Sequence, residues 1–117
     1  MKAWLIGCVF AQAALQMLSA NGAPPSTQAA PDLSAGKALF KEKCAMCHGS
    51  SGMGTGLLAR RVQPAELLKR EDLIAAYITS AARMGVGNMP AIPRGEASDS
   101  QLKAIADYLA APQALRP

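Results

Sequence analysis

The chain has a single histidine, and that histidine closes the pentapeptide Cys44-Ala45-Met46-Cys47-His48. Nothing else in the sequence restricts the fold so tightly. One histidine excludes a His-rich metal site, a two-His zinc finger and any bis-histidine site within one chain. A redox Cys-x-x-Cys of the thioredoxin kind needs strands around it, and no strand pattern is present. Half a zinc site needs further ligands, and there is no second cysteine pair. A plain disulfide is the remaining simple alternative. The spacing suits one cofactor directly. Two thiols three residues apart can add to the two vinyl groups of a single haem, and the next residue then offers an imidazole to the iron. The sequence therefore predicts one covalent haem c, held by Cys44 and Cys47, with His48 as proximal ligand.

The N-terminus points to export. Lys2 is the only charge before Asp32, and an apolar stretch from Ala3 to Leu18 is broken only by Gln12 and Gln16. The small residues Ser19-Ala20-Asn21-Gly22-Ala23 follow. Residues 1–22 read as a signal peptide, with cleavage near 20–23 and a periplasmic destination. An uncleaved anchor helix is the competing reading, although the stretch is slightly short for a span. A lipid-attachment site at Leu5-Ile6-Gly7-Cys8 is another, although few apolar residues precede Cys8. A thioether link would keep the haem after export. Residues 23–31 form a flexible Pro/Ala-rich linker. Residues 32–111 form the domain, and 112–117 a short tail. No internal repeat is visible.

The 117 residues allow one small domain at most, and 50% apolar with 17% charged is not the composition of a disordered chain. Trp4 and Phe10 belong to the leader, which leaves only Phe40, Tyr77 and Tyr108 as aromatic core material. So small a core needs a cofactor or a cross-link. The expectation is a chain largely unfolded without haem.

Periodicity predicts an all-α domain with three main helices. The first runs over about 33–45, capped by Asp32, with Leu33, Gly36, Leu39, Phe40 and Cys44 on one face. The second runs over about 71–82, with Glu71 and Asp72 in its first turn. Its stripe of Leu73, Ile74, Tyr77, Ile78 and Ala81 reads as a face buried in the core. The third runs over about 99–110 behind the capping-box pattern Ser98-Asp99-Ser100-Gln101. Its stripe is Leu102, Ile105, Ala106 and Leu109, with Tyr108 beside it. A short extra helix over 64–69 would start at Pro64. Two connections, Gly49–Gln63 and Arg83–Ala97, lack periodicity and are rich in glycine, as functional loops often are.

A second axial ligand has to come from outside the histidines. Met46 lies inside the attachment motif. Met53 follows His48 by five residues, and Met84 ends the second helix; both read as core fillers. Met89 lies forty-one residues after His48 in Gly85-Val86-Gly87-Asn88-Met89-Pro90, a bendable strap stiffened by its proline. It is the candidate sixth ligand. A soft thioether raises the reduction potential and leaves no open position on the iron.

At this point the chain resembles the small class I c-type cytochromes. The resemblance rests on Gly36 and Phe40, Cys44-Ala45-Met46-Cys47-His48, Gly52-Met53-Gly54-Thr55-Gly56, Asn88-Met89-Pro90 and Asp107-Tyr108-Leu109, and covers about residues 32–111. It implies that the first and last helices cross, with Gly36 allowing close approach and Phe40 and Tyr108 near the crossing. It also implies a one-electron carrier rather than an enzyme. The family usually has a Gly-Pro after the haem histidine, whose backbone carbonyl fixes the imidazole. Here Thr55 or Leu57 stands where that proline would, so the carbonyl's source is open. The stretch 83–93, with Ser98–Leu102, is similar to cytochrome subunits of flavoprotein dehydrogenases of the para-cresol methylhydroxylase type.

Arg60, Arg61 and Arg94 are candidates for the haem propionates, Arg60 foremost, against a reading as solvated surface charge. Tyr77 reads as core packing rather than as a redox relay. Lys37, Lys41 and Lys43 form a basic face that could steer an acidic partner or simply be solvated. The partners implied are a dehydrogenase, a flavoprotein among the candidates, and an electron acceptor such as a terminal oxidase. Nucleic acid is not expected, and a membrane only if the leader is retained. The rival class is a haem enzyme or ligand sensor with an open sixth coordination site, which requires Met89 not to ligate.

Overall fold

The structure is a computed structural model that describes residues 32–116. The leader, the linker and Cys8 lie outside these residues. Five α-helices follow in order: α1 (Ser34–Lys43), α2 (Ala45–His48), α3 (Met53–Leu58), α4 (Ala75–Met84) and α5 (Asp99–Ala110). Single 3-10 turns occur at Leu67–Lys69 and Gln113–Leu115. Among the described residues there is no strand, only an isolated bridge between Val86 and Met89. None of the described helices is long and apolar enough to cross a membrane. The all-α architecture agrees with the sequence.

Helix α5 forms where local chemistry says it should. The Ser98 hydroxyl accepts from the Gln101 amide, and the Gln101 side chain accepts from the Ser98 amide. That reciprocal pair satisfies two donors that a helix start leaves orphaned. At the start of α1, Asp32 Oδ1 accepts from the Ser34 amide at 2.9 Å. The helix breaks at Cys44, whose backbone leaves helical values at φ −120°, ψ −30°. His48 N then bonds Cys44 O at 2.8 Å and closes α2 over the attachment motif.

The crossing of α1 on α5 is the centre of the core. Gly36 lies against the backbone of Ala104 and the Cβ of Tyr108, which a Gly36 side chain would meet at 2.6 Å. Only a glycine permits that approach. Phe40 and Tyr108 pack one turn further on, ring centroids 6.3 Å apart and tilted by 51°. Leu33, Ile105 and Leu109 complete the buried cluster. Each such side chain contributes about 1.5–3 kcal/mol by burial.

Three elements depart from the sequence expectation. The predicted helix over 71–82 starts at Ala75 and continues to Met84. Asp72 does not sit in its first turn; its carboxylate takes a two-point ion pair from Arg70, with Nε to Oδ1 at 2.8 Å. That pair holds residues 70–72 in a non-helical turn, and the bonded guanidinium keeps the Asp72 carboxyl below its ordinary range. The predicted helix over 64–69 shrinks to the turn at Leu67–Lys69. The supposed loop 49–63 contains α3, in which Thr55 is buried and donates from its hydroxyl to Gly49 O at 2.8 Å. That bond ties α3 back onto the end of α2 and offsets part of the cost of two helical glycines. The tail is also tied down. Arg116 donates to the carbonyls of Ala111, Leu68 and Arg70 at 2.9, 2.9 and 2.6 Å.

Candidate functional site

The five helices surround a cavity of about 1220 Å³. One wall is made by the end of α1, by α2 and by α3; it presents Cys44, Cys47, His48 and Met53. The strap 86–92 lines the same cavity and presents Met89 and Pro90. Helices α4 and α5 form an apolar flank, with Ile74, Tyr77 and Ile78 from one and Leu102, Ile105 and Leu109 from the other. The volume lies above the usual range for small-molecule sites, and the lining is largely apolar with a few polar atoms.

This placement corrects the reading of the second helix. The stripe containing Ile74 and Tyr77 is not packed into protein. Ile74 is 64% and Tyr77 56% exposed, and both face the cavity. A face that covers a large flat ligand carries the same apolar period as one that covers another helix. Met53 and Met84 are not core fillers either, at 72% and 75% exposed. Met53 stands at the cavity rim, whereas Met84 lies at the exposed end of α4, outside the lining. Met46 is the most exposed of the four methionines and also lies outside it. Met89 is half-buried and lines the cavity. Met53 and Met89 are thus the two methionines that line the cavity, and Met89 is the less exposed.

Cys44 and Cys47 are not joined in a disulfide. Burial pushes the Cys44 thiol above its ordinary value. His48 is half-buried, and burial lowers its pKa. Its Nδ1 is buried with no hydrogen-bond partner. The backbone carbonyl expected to fix the imidazole is therefore not in place. Thr55 and Leu57 both stand inside α3, and their carbonyls accept from Ala59 N at 2.9 Å and Arg60 N at 3.3 Å. Gly49 O is taken by the Thr55 hydroxyl. The backbone of Gly54 lies close beside the ring: a Cβ added there would come 3.3 Å from His48 Cε1.

The rim of the cavity is basic. Arg60 and Arg61 line it, are exposed, and have no carboxylate within ion-pair distance among the described residues. Arg70 lines it too but is committed to Asp72. Arg94 does not line it and pairs with Asp99 at 2.8 Å, so it is withdrawn from the propionate candidates. Lys43 reaches the cavity and Glu42, while Lys37 and Lys41 are exposed away from it. No group of three or more His, Cys, Asp or Glu that could hold a metal ion occurs among the described residues. The donor set is two thiols, an imidazole and a thioether around an apolar slot. It fits a haem.

The comparisons agree with that chemistry. The family model described as cytochrome c oxidase, cbb3-type, subunit III matches residues 31–109. The chain is a small class I c-type cytochrome. It is 37% identical over 90 residues to cytochrome c6 of Synechocystis sp., covering 72% of this chain and 68% of that one. It is 33% identical over 85 residues to the cbb3-type cytochrome c oxidase subunit CcoP of Helicobacter pylori, of which it spans about a quarter (27%). No solved structure matches at the same stringency. The cytochrome binds haem c covalently and transfers electrons to and from redox partners, without being an enzyme itself.

Sequence reasoning missed one cluster beside the cavity. Arg83, in the last turn of α4, donates from Nη1 to Ile92 O at 2.8 Å and from Nη2 to Ala97 O at 2.9 Å. Nη2 also meets Asp99 Oδ1 at 2.8 Å. An arginine at a helix C-terminus reads from sequence as a complement to the helix dipole, so nothing local marked these long-range bonds.

Proposed function

We propose that this cytochrome is a periplasmic one-electron carrier whose haem is linked through Cys44 and Cys47 and ligated by His48 and Met89. The reading is supported by Met89 lining the same cavity as His48 and both cysteines. Bound haem c supplies the Fe(III)/Fe(II) couple. The protein's part would be to offer His48 and Met89 from one cavity and to exclude water with the flanks of α4 and α5. Keeping both ligands in both oxidation states minimises reorganisation. The thioether of Met89 favours the reduced state over a nitrogen or oxygen donor. Arg60 at the rim is the propionate contact, an exposed guanidinium without a carboxylate of its own.

The apolar N-terminal sequence supports a periplasmic location, and the cytochrome domain is read as 32–111. Exposed Met53, Pro90 and Ala91 around the cavity mouth suit brief docking with a redox partner. Two arrangements fit: a free shuttle between an oxidoreductase and an acceptor such as a terminal oxidase, or a subunit of a dehydrogenase, with a flavoprotein favoured by the stretch 83–93. Elution of the native protein as a single species at monomer mass selects the first. The intact mass of the exported protein tests haem attachment and leader cleavage together. Its ferric spectrum tests the axial set through the weak near-infrared band of Met-bound ferric haem. Absence of that band with rapid carbon monoxide binding to the reduced protein would replace this reading by an open-site haem enzyme or sensor.

A further inference from the structure

The methionine strap has no helix or strand of its own to hold it. What fixes it can be enumerated. Gly85 leaves α4 at φ +75°, where a Cβ would meet Met89 O at 2.7 Å. Val86 and Met89 exchange both backbone hydrogen bonds, at 3.1 and 2.9 Å, around Gly87 at φ +58°. This tight turn sets the backbone of Met89 but leaves the turn as a whole free to swing about Gly85. The far end decides whether it swings. Ile92 N donates to Ala82 O at 2.7 Å. Ile92 O accepts from Arg83 Nη1, while Arg83 Nη2 reaches Ala97 O and Asp99. Arg94 bonds the other oxygen of Asp99 at 2.8 Å.

We infer that Arg83 is the positioning residue for Met89: its guanidinium locks the exit of the strap to the end of α4 and the start of α5, and so keeps Met89 in the lining of the haem cavity. This rests on Met89 being the sixth ligand. The fork is essential to the argument. One nitrogen takes Ile92 O and the other takes Ala97 O and Asp99, so a single ammonium cannot reproduce the set. The side chain is only 16% exposed and its Nε is buried without a partner. A buried donor left unpaired is costly, and it is tolerated here while the two terminal nitrogens together make three hydrogen bonds. An arginine serving only as a dipole complement would point its charge to water. This one is folded inward onto two backbone carbonyls of the strap and its return.

The test uses the haem-loaded protein and four variants: Arg83→Met, Arg83→Lys, Met89→Ala and Leu33→Ala. Leu33 is buried in the α1/α5 core and does not line the cavity, so its variant lowers global stability alone. The readouts are the near-infrared Met band of the ferric protein, the rate of carbon monoxide binding to the ferrous protein, and the urea midpoint of helix loss. Arg83→Met is expected to weaken the band and to raise the carbon monoxide rate about tenfold or more, in line with losing buried charge-assisted hydrogen bonds. Arg83→Lys, which keeps the charge and loses the fork, falls between it and the native protein. Leu33→Ala lowers the urea midpoint and leaves band and rate unchanged. Should Arg83→Met not yield loaded protein, Arg83→Lys carries the test alone. Native band and rate in the Arg83 variants overturn the positioning role. So does a Leu33→Ala variant that shifts the rate as much as Arg83→Lys at equal loss of stability. A native band in Met89→Ala overturns the ligand assignment itself, and is told apart because it does not involve Arg83.

Discussion

The two walls of the cavity are built on opposite principles. The histidine wall is local: two cysteines and a histidine within five residues, folded by α2 and pinned by the bond from Thr55 to Gly49. The methionine wall is almost without regular structure, and bonds from distant residues hold it. A wall made of neighbours in sequence forms with the first helical turn and keeps its geometry while the rest of the fold loosens. A wall held by a few long-range bonds can open alone. With Met89 as the proposed sixth ligand, the methionine side is therefore the side expected to yield.

The largest effect comes from removing the local wall's covalent anchors. A Cys44→Ala/Cys47→Ala protein should show no haem in its denatured intact mass. Its helix signal in circular dichroism should fall to that of a largely unfolded chain. A cooperatively folded haem-free form with near-native helix content would show that the walls do not need their cofactor.

Next is Gly85→Ala, which strikes the methionine wall only. Its positive φ and the contact with Met89 O should displace the strap at a cost of about 1–3 kcal/mol. The Met band should vanish while the haem stays attached. A retained band would mean the strap is stiffer than its bonding suggests. Gly36→Ala gives the contrast. The added methyl meets Tyr108 Cβ at 2.6 Å, so overpacking should cost about 1–3 kcal/mol in chemical unfolding. The Met band should persist up to the unfolding transition.

Acid offers a milder lever on the same comparison. Bonds from Arg94 and Arg83 hold the Asp99 carboxyl below its ordinary value of 3.8. A depressed carboxylate contributes fully above that ordinary value and loses its contribution as pH falls through the folded one. In an acid titration the Met band should fade below about pH 3.8 before the helix signal does. In Asp99→Asn the fading should no longer follow that carboxyl. The smallest effect is expected at the rim. Arg60→Ala removes an exposed positive charge near the iron, so the reduction potential should drop, by the equivalent of about 0.2–1 kcal/mol.

What the sequence disclosed divides along the same line. Helix α5 was legible to the residue because its cap is a contact between positions three apart. The crossing at Gly36, Phe40 and Tyr108 was legible through resemblance, and the attachment motif through its spacing. The orientation of α4 was not. Ile74 and Tyr77 repeat with the period of a buried face, and the period does not say whether protein or cofactor does the burying. Helix α3 was hidden by its glycines, since the Thr55 hydroxyl bond that supports it spans six residues. Arg83 was hidden for the same reason that makes it interesting: its partners lie nine to sixteen positions downstream.

The crossing of α1 on α5 also sets a timetable. Gly36 and Tyr108 belong to the first and last helices, so the core cannot close until nearly the whole chain is available. A polypeptide emerging N-terminus first presents Cys44–His48 long before α5 arrives to seat against it. Such distant pairings form late, because the entropy of closing a long loop must be met before any contact rewards it. The attachment motif thus stands open to the haem-loading machinery during a window that the topology itself provides, and the last helix shuts it.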